Sequence, residues 1–265
     1  MNFKTNFLDN YMKEAPIPLA IERYLECRIL SKHAFNRPIL DIGCGEGMFA
    51  FILFAEKIDV GIDPNKSELQ RAKEYGMYAE LIECYGDKIT KPSNFFNTIM
   101  SNSVLEHIPS LEPVLQEAHR LLSDQGVFYV TVPTDMFDNY SVIYQFLSSL
   151  RLTELAEKYR RFFNRFWRHY NFHNREEWTA LFEKNGFKVK EAIEYDSKFV
   201  CLMNDFMAPF AFLSFICKKL LNRWIVLPQI RNKYIGLFVW LAEVLVNKFE
   251  GKGKGGIIFF ALSKQ

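Results

Sequence analysis

Ile39-Leu40-Asp41-Ile42-Gly43-Cys44-Gly45-Glu46-Gly47 is a short apolar run that breaks into three glycines spaced two apart. Pro38 precedes it, and a further apolar stretch opens at Met48. That order reads as a buried strand, a tight glycine turn and the start of a helix. Glycines let the backbone approach a ligand closely, and a helix start offers unpaired N–H groups. Nucleotide-type cofactors are held by this geometry. A dinucleotide fingerprint would place glycines at 43, 45 and 48, but position 48 is Met. The third glycine, at 47, points to a different class of cofactor.

Outward from the loop, strand-like and helix-like segments alternate. Residues 17–35 read as an amphipathic helix, with apolar side chains at 17, 21, 24, 25, 29 and 30 on one stripe. Strands are expected over 39–42, 58–62, 79–84, 96–101, 127–132, 188–194 and 257–262, and helices over 48–56, 67–75, 111–122 and 175–185. Asp124-Gln125-Gly126 reads as the turn that closes the 111–122 helix. The alternation implies the α/β class, a doubly wound, Rossmann-like parallel sheet with helices on both faces. The chain divides into a cofactor-binding core at 1–133, a helical cap or substrate lid at 134–174, a core continuation at 175–195, an apolar helical insertion at 196–256 and a final core strand at 257–265. Residues 134–174 are too many for an ordinary connection, hence the cap.

These motifs resemble those of the class I S-adenosylmethionine-dependent methyltransferases, of the small-molecule and saccharide type. The family's first motif is an acid followed by G-x-G-x-G, matched by Asp41, Gly43, Gly45 and Gly47, with Cys44 inside the loop. The resemblance implies a seven-stranded sheet, S-adenosylmethionine as cofactor, and a loop that lies along its methionine part. Gly61-Ile62-Asp63-Pro64 matches the end of the second strand, where the family's acid takes both ribose hydroxyls. A carboxylate suits that task, with two acceptor oxygens for two donors. The segment from Asn97 to Pro109 resembles the part of the family beneath the cofactor, which adds Ser101 and Asn102 to the cofactor-binding set. His119 to Gly126 resembles the helix-turn before strand five. The resemblance is close over 15–133 and loose over 175–195. There are two departures. Asn97 stands where the family usually has Asp. The adenine-contacting acid falls near Tyr85, which leaves Asp87 as either a shifted substitute or a solvated loop acid.

Methyl transfer from a sulfonium is an in-line displacement, so acceptor and methyl must be aligned and water excluded. A hydroxyl acceptor also needs a base. In a doubly wound sheet this chemistry belongs at the carboxyl ends of the strands. His107 follows the fourth strand, and an imidazole titrates near neutrality. The resemblance implies a catalytic histidine here in some small-molecule members; in others the Glu-His pair is part of the fold. Glu106 either orients His107 or faces the cofactor's charge. The cap segment from Arg160 to His173 interleaves arginines with rings. It reads as a helix with a solvated basic face, or as a lid whose arginines meet phosphate. His169 and His173 stand one turn apart if that helix persists, as cap contacts or alternative bases. No metal site is expected, because no acid or cysteine accompanies this pair.

Two further stretches, Phe206 to Leu221 and Tyr234 to Phe249, are strongly apolar, with Lys218, Lys219, Arg223 and Arg231 around their ends. Neither is a clean run of the ~18 residues expected of a spanning helix. Two readings stay open: a helical pair packed on the domain, or a monotopic element in a membrane interface. Composition bears on that choice. Rings make up 16% of the 265 residues, with 26 Phe, which exceeds the needs of a compact core and leaves some for a pocket or for lipid. A net charge of +2 gives no warrant for nucleic acid. Ser101-Asn102-Ser103-Val104 also lacks the Asn/Asp-Pro-Pro-aromatic signature of nucleic-acid methylation. The five cysteines form no C-x-x-C pair and are odd in number, which predicts reduced thiols in a cytoplasm. The first sixteen residues lack a signal-peptide apolar core. The expected function is O-methylation of a sugar or lipid-linked small-molecule acceptor in glycan biosynthesis, in the cytoplasm or at the inner membrane surface. Its rivals are methylation of a lipid, quinone or isoprenoid, and a non-catalytic, membrane-associated partner protein that binds the cofactor. The sequence leaves the oligomeric state open.

Overall fold

The computed structural model describes residues 1–221 and 223–265. Two N-terminal helices, α1 (Phe7–Glu14) and α2 (Ile17–Leu30), lead into β1 (Ile39–Ile42), α3 (Met48–Leu53), β2 (Ile58–Asp63), α4 (Lys66–Tyr75), β3 (Tyr78–Glu83) and β4 (Phe96–Asn102). Then come α5 (Leu111–Leu121), β5 (Leu122–Pro133), the cap helices α6 (Val142–Ser149) and α7 (Thr153–Trp167), α8 (Arg175–Lys184) and β6 (Phe187–Ser197). The insertion carries α9 (Lys198–Met207), a 3₁₀ turn (Ala208–Ala211), α10 (Phe212–Leu221), α11 (Pro228–Arg231) and α12 (Ile235–Phe249) before β7 (Gly255–Lys264).

The seven strands lie in the order β3-β2-β1-β4-β5-β7-β6. β1 to β5 pair in parallel, and β7 runs antiparallel between β5 and β6. The sheet is therefore mixed: the last strand is antiparallel where the alternation predicts a parallel one. Both faces are covered. Successive residues point to opposite faces of a strand, so Phe259 joins the core beneath α1, α2 and α3, while Ile258 and Phe260 join the core beneath α5 and α8. Strand order reverses between β1 and β4, which opens a crevice at their carboxyl ends.

Several bounds differ from the sequence reading. α2 stops at Leu30, because Lys32 and His33 donate to Ile29 and Leu30 in a tightened last turn. Phe35, the expected end of that helix, lies beyond it and is buried against Phe54 and Tyr129. α3 ends at Leu53, where Phe54 turns extended and bridges Phe3. β5 starts at Leu122 rather than 127: Leu122 pairs with Phe96, and the register shifts before Thr98, so residues 123–126 form a bulge inside the strand. The largest difference lies in the insertion. Helical backbone begins at Lys198, eight residues before Phe206, and continues to Leu221. Pro209 is accommodated by the 3₁₀ turn. The 24-residue course is long and apolar enough to cross a membrane by length and composition, contrary to the reading of its last two thirds alone.

Candidate functional site

β1 carries Asp41 into the core, where the Tyr78 hydroxyl donates to its Oδ2 at 2.7 Å. Burial, opposed by that bond, pushes the Asp41 carboxyl up to about 7. Beyond β1 the chain turns through Gly43 and Gly45 at positive φ, 75° and 52°. A Cβ on Gly43 would stand 2.5 Å from Val104, so packing alone demands glycine there. A Cβ on Gly45 would meet nothing within 4 Å: this glycine faces open space. Asp63, at the end of β2, steadies the loop. Its Oδ2 accepts from the Gly45 N–H at 3.1 Å and its Oδ1 from Asn65 at 2.8 Å. Each oxygen keeps a second lone pair for another donor.

The end of β4 is fastened to α2. Glu26 is fully buried and accepts from Asn102 Nδ2 at 2.8 Å, Ser103 Oγ at 2.9 Å and Arg23 Nη1 at 2.7 Å. A buried carboxylate needs this many donors to be tolerated. Glu22 lies one helical turn before it, and burial pushes its carboxyl up to about 7.

The turn after β4 presents Glu106 and His107. The end of the cap clamps it: Tyr170 N–H donates to the Glu106 carbonyl at 2.8 Å, and Asn171 Nδ2 to that of Ile108 at 2.7 Å. The same clamp brings His169 beside His107, ring centres 5.1 Å apart. His107 Nδ1 lies 3.2 Å from the Arg168 carbonyl. A carbonyl only accepts, so Nδ1 carries the proton and Nε2 keeps a free lone pair. Nε2 sits 3.8 Å from Glu106 Oε1. Burial lowers the His107 pKa, takes His169 down to about 4 and raises Glu106 to about 8. All three groups are therefore uncharged near neutrality.

These elements surround a cavity of about 600 Å³. Asp41, Gly43, Cys44, Gly45, Gly47, Asn102, His107 and His169 all line it. Asp63 adjoins it through Gly45. Other expected residues are not gathered there. Ser101 is buried in the sheet and Pro64 is exposed beyond β2. Asp87 is half-buried on the loop after β3 and does not reach the cavity wall. His173 is separated from His169 because α7 ends at Trp167, with Arg168 in a left-handed conformation. It packs on the Trp178 ring, 3.7 Å from Glu177. The cap arginines Arg161, Arg165 and Arg168 face outward, as a solvated basic face. The expectation of no acid near the histidines is corrected: Glu106, His107 and His169 each place a possible ligand atom within 4.8 Å of the others. His107 Nε2 and Glu106 Oε1 stand 3.8 Å apart, beyond hydrogen-bond distance. Asn97, where an Asp was expected, bridges the Arg37 carbonyl and Ser123 and is structural.

The sequence reading missed the polar contributors from α2 and the insertion. Glu22, Arg23, Asn204, Asp205 and Lys218 all line the cavity. The available signal was the position of Glu22 and Glu26, one turn apart beside the apolar stripe of α2. Tyr11 Oη, Glu106 Oε2 and both amide atoms of Asn204 are buried and have no hydrogen-bond partner. Such groups mark a place where a ligand can supply the missing bonds.

A family model for the methyltransferase domain matches residues 19–192. A sterol 24-C-methyltransferase of Neurospora crassa is 31% identical over 131 residues, which is 46% of this chain and 34% of that protein. A ubiquinone biosynthesis O-methyltransferase of Pectobacterium atrosepticum is 29% identical over 108 residues, 37% of this chain and 44% of that protein. The matched stretches thus span less than half of either relative. Among solved structures, a methyltransferase of Thermotoga maritima, described as a possible histamine N-methyltransferase, shares the fold with a TM-score of 0.56. The likeness covers 94% of this chain and 92% of that one at 16% identity.

Proposed function

The chain belongs to the class I S-adenosylmethionine-dependent methyltransferases, and from that premise we propose that it methylates a hydroxyl on an amphiphilic acceptor, an isoprenoid-type or lipid-linked molecule. The residues at the glycine loop suit the cofactor. Gly45 leaves an open cradle, and Asp63 keeps acceptor lone pairs for ribose hydroxyls. Cys44, Gly43 and Asn102 would complete that wall.

The observation that carries the acceptor reading is the mixed character of the cavity wall. It combines the apolar side chains of Phe137, Phe163, Trp167, Ala211 and Phe215 with the unpartnered polar atoms of Tyr11, Glu106 and Asn204. A long apolar body with a polar head satisfies both, and the head can be a saccharide. The relatives named for sterol 24-C-methylation and for ubiquinone biosynthesis support the apolar half of this reading.

When bound, the cofactor supplies an electrophilic methyl group on a sulfonium. The chain's part is to position and deprotonate. The apolar wall holds the acceptor body and excludes water. Neutral His107, its Nδ1–H tied to Arg168, takes the hydroxyl proton at Nε2 as the oxygen attacks. The positive charge then formed on the ring lies beside Glu106.

The test is transfer of labelled methyl from the cofactor by the purified chain, supplied in parallel with a membrane lipid extract and with a water-soluble metabolite extract. Label in the organic phase is expected. Label confined to the aqueous phase, or none in either, would overturn the acceptor reading.

A further inference from the structure

The exposed large apolar side chains of this protein are not scattered. Among the described residues, all but Tyr85 and Phe95 lie between residues 143 and 244, in the cap and the insertion. Within the insertion they follow a rule. Along the helical course from Lys198 to Leu221, the cavity is lined by Asn204, Ala208, Ala211, Phe215 and Lys218, spaced four, three, four and three. That spacing is one face of a helix. Phe206, Phe210, Leu213 and Leu220 fall on the opposite face, and the last three are 77%, 71% and 74% exposed. α12 repeats the pattern. Ile235, Ala242 and Val246 are buried, while Leu237, Trp240, Leu241 and Val244 project outward.

We propose that the outer faces of these two helices dock the protein on an anionic lipid bilayer, as an element that lies in the interface. The surface is contiguous with the cavity, because one helix serves both through opposite faces. A spanning arrangement is excluded by the inner face. Asp205 accepts from the Val142 N–H at 2.7 Å, Lys218 pairs with Glu46, and Val200 is fully buried in the core.

Charge selects the occupant. Residues 198–256 hold nine Lys and Arg against three Asp and Glu in a chain whose net charge is only +2. Lys219, Arg223, Lys233, Lys248, Lys252 and Lys254 are exposed. Among the described residues of this stretch Glu243 is the one exposed acid, since Asp205 is held by Val142 and Glu250 by Asp196 and Ser197. A second copy of the chain would bring the same cations face to face, whereas anionic headgroups neutralise them. The outer faces would hold the protein at a bilayer whatever the acceptor turns out to be.

The experiment is flotation of the full chain with vesicles of phosphatidylcholine and phosphatidylglycerol in equal parts, against pure phosphatidylcholine. Binding to the anionic vesicles at low salt, weakened by added salt, is expected. The triple variant Phe210→Ser, Leu213→Ser, Trp240→Ser changes outward side chains that do not line the cavity. Its partitioning should fall at least tenfold with its circular dichroism unchanged. Calorimetric cofactor affinity, measured on the same samples, reports on the methyltransferase site separately and should not move. Absence of flotation by the folded wild type, equal flotation by the triple variant, or a solution dimer that the triple variant breaks would each overturn the proposal.

Discussion

The indole N–H of Trp224 donates to Glu46 Oε1 at 2.8 Å, joining the insertion to the glycine loop across 178 residues of sequence. Lys218 pairs with the other oxygen of the same carboxylate. The segment proposed to meet lipid is therefore fastened to the loop proposed to meet the cofactor. Trp224→Phe keeps the ring and removes the donor. One bond to a charged acceptor is worth about 1.5–3 kcal/mol, and Lys218 retains part of the tether, so cofactor affinity should weaken by roughly tenfold. Titration calorimetry checks this. Unchanged affinity would mean the loop is held without the insertion.

Asp63 is expected to matter more. It orders Gly45 and offers its remaining lone pairs to the ribose hydroxyls. Asp63→Ala should cost about 2–4 kcal/mol of cofactor binding, since two bonds to a charged group disappear. Asp63→Asn keeps the shape and one acceptor oxygen, and should fall between. Wild-type affinity in the alanine variant, by calorimetry, would remove Asp63 from the cofactor site.

These two residues also show what was legible in advance. Asp63 and the glycines sit in short segments whose chemistry is local: a strand end, a turn, a helix start. Such segments can be read without knowing what packs on them. Trp224 and Lys218 meet Glu46 only through tertiary packing. Glu26, on which the sequence offers no reading, is fully buried on α2 because Asn102 and Ser103 supply its donors from another element. His169 and His173 were paired on the assumption of a continuing helix, which Arg168 ends. The helix of the insertion was read four turns long in place of 24 residues, because Asn204 and Asp205 interrupt the apolar run while serving the cavity. In each case the role of a polar residue depended on its neighbours in space, not on those in sequence.

Glu106 gives a prediction about pH and stability. Burial raises its carboxyl to about 8 in the fold, from the ordinary 4.5. The folded state then binds more protons than the unfolded state between those values. By linkage the contribution is fully present below about 4.5 and is lost as pH rises through about 8. Asp41 and Glu22, each raised to about 7, act in the same direction. Glu106→Gln is neutral at every pH and should escape its share of the loss. The melting temperature of the variant should gain on the wild type between pH 5 and pH 9, by about 2–4 °C per kcal/mol recovered. A constant difference across that range, in thermal melts, would show that Glu106 is not buried as a neutral acid.

His107 carries the proposed chemistry, and its tautomer makes the prediction specific. The Nδ1 proton is committed to the Arg168 carbonyl, which leaves Nε2 as the one ring atom able to take a proton from a hydroxyl acceptor. The ring must be neutral to do so. Burial places its pKa below the ordinary 6.5, with a smaller opposing push from the Arg168 carbonyl. Turnover should therefore rise with pH through a value below 6.5 and be flat by neutrality. His169, taken down to about 4, is neutral throughout and adds no second limb in the same range. His107→Ala should lower turnover by ~100-fold or more while cofactor affinity stays within about twofold. His107→Gln separates a base from a spacer. Its amide can still donate to Arg168 but cannot accept a full proton, so a base role predicts low turnover with the acid limb gone. A purely positioning role predicts recovery of rate in the glutamine variant. Near-normal turnover of either variant at every pH would place the base elsewhere, and His169, facing the same cavity, would be the residue to substitute next.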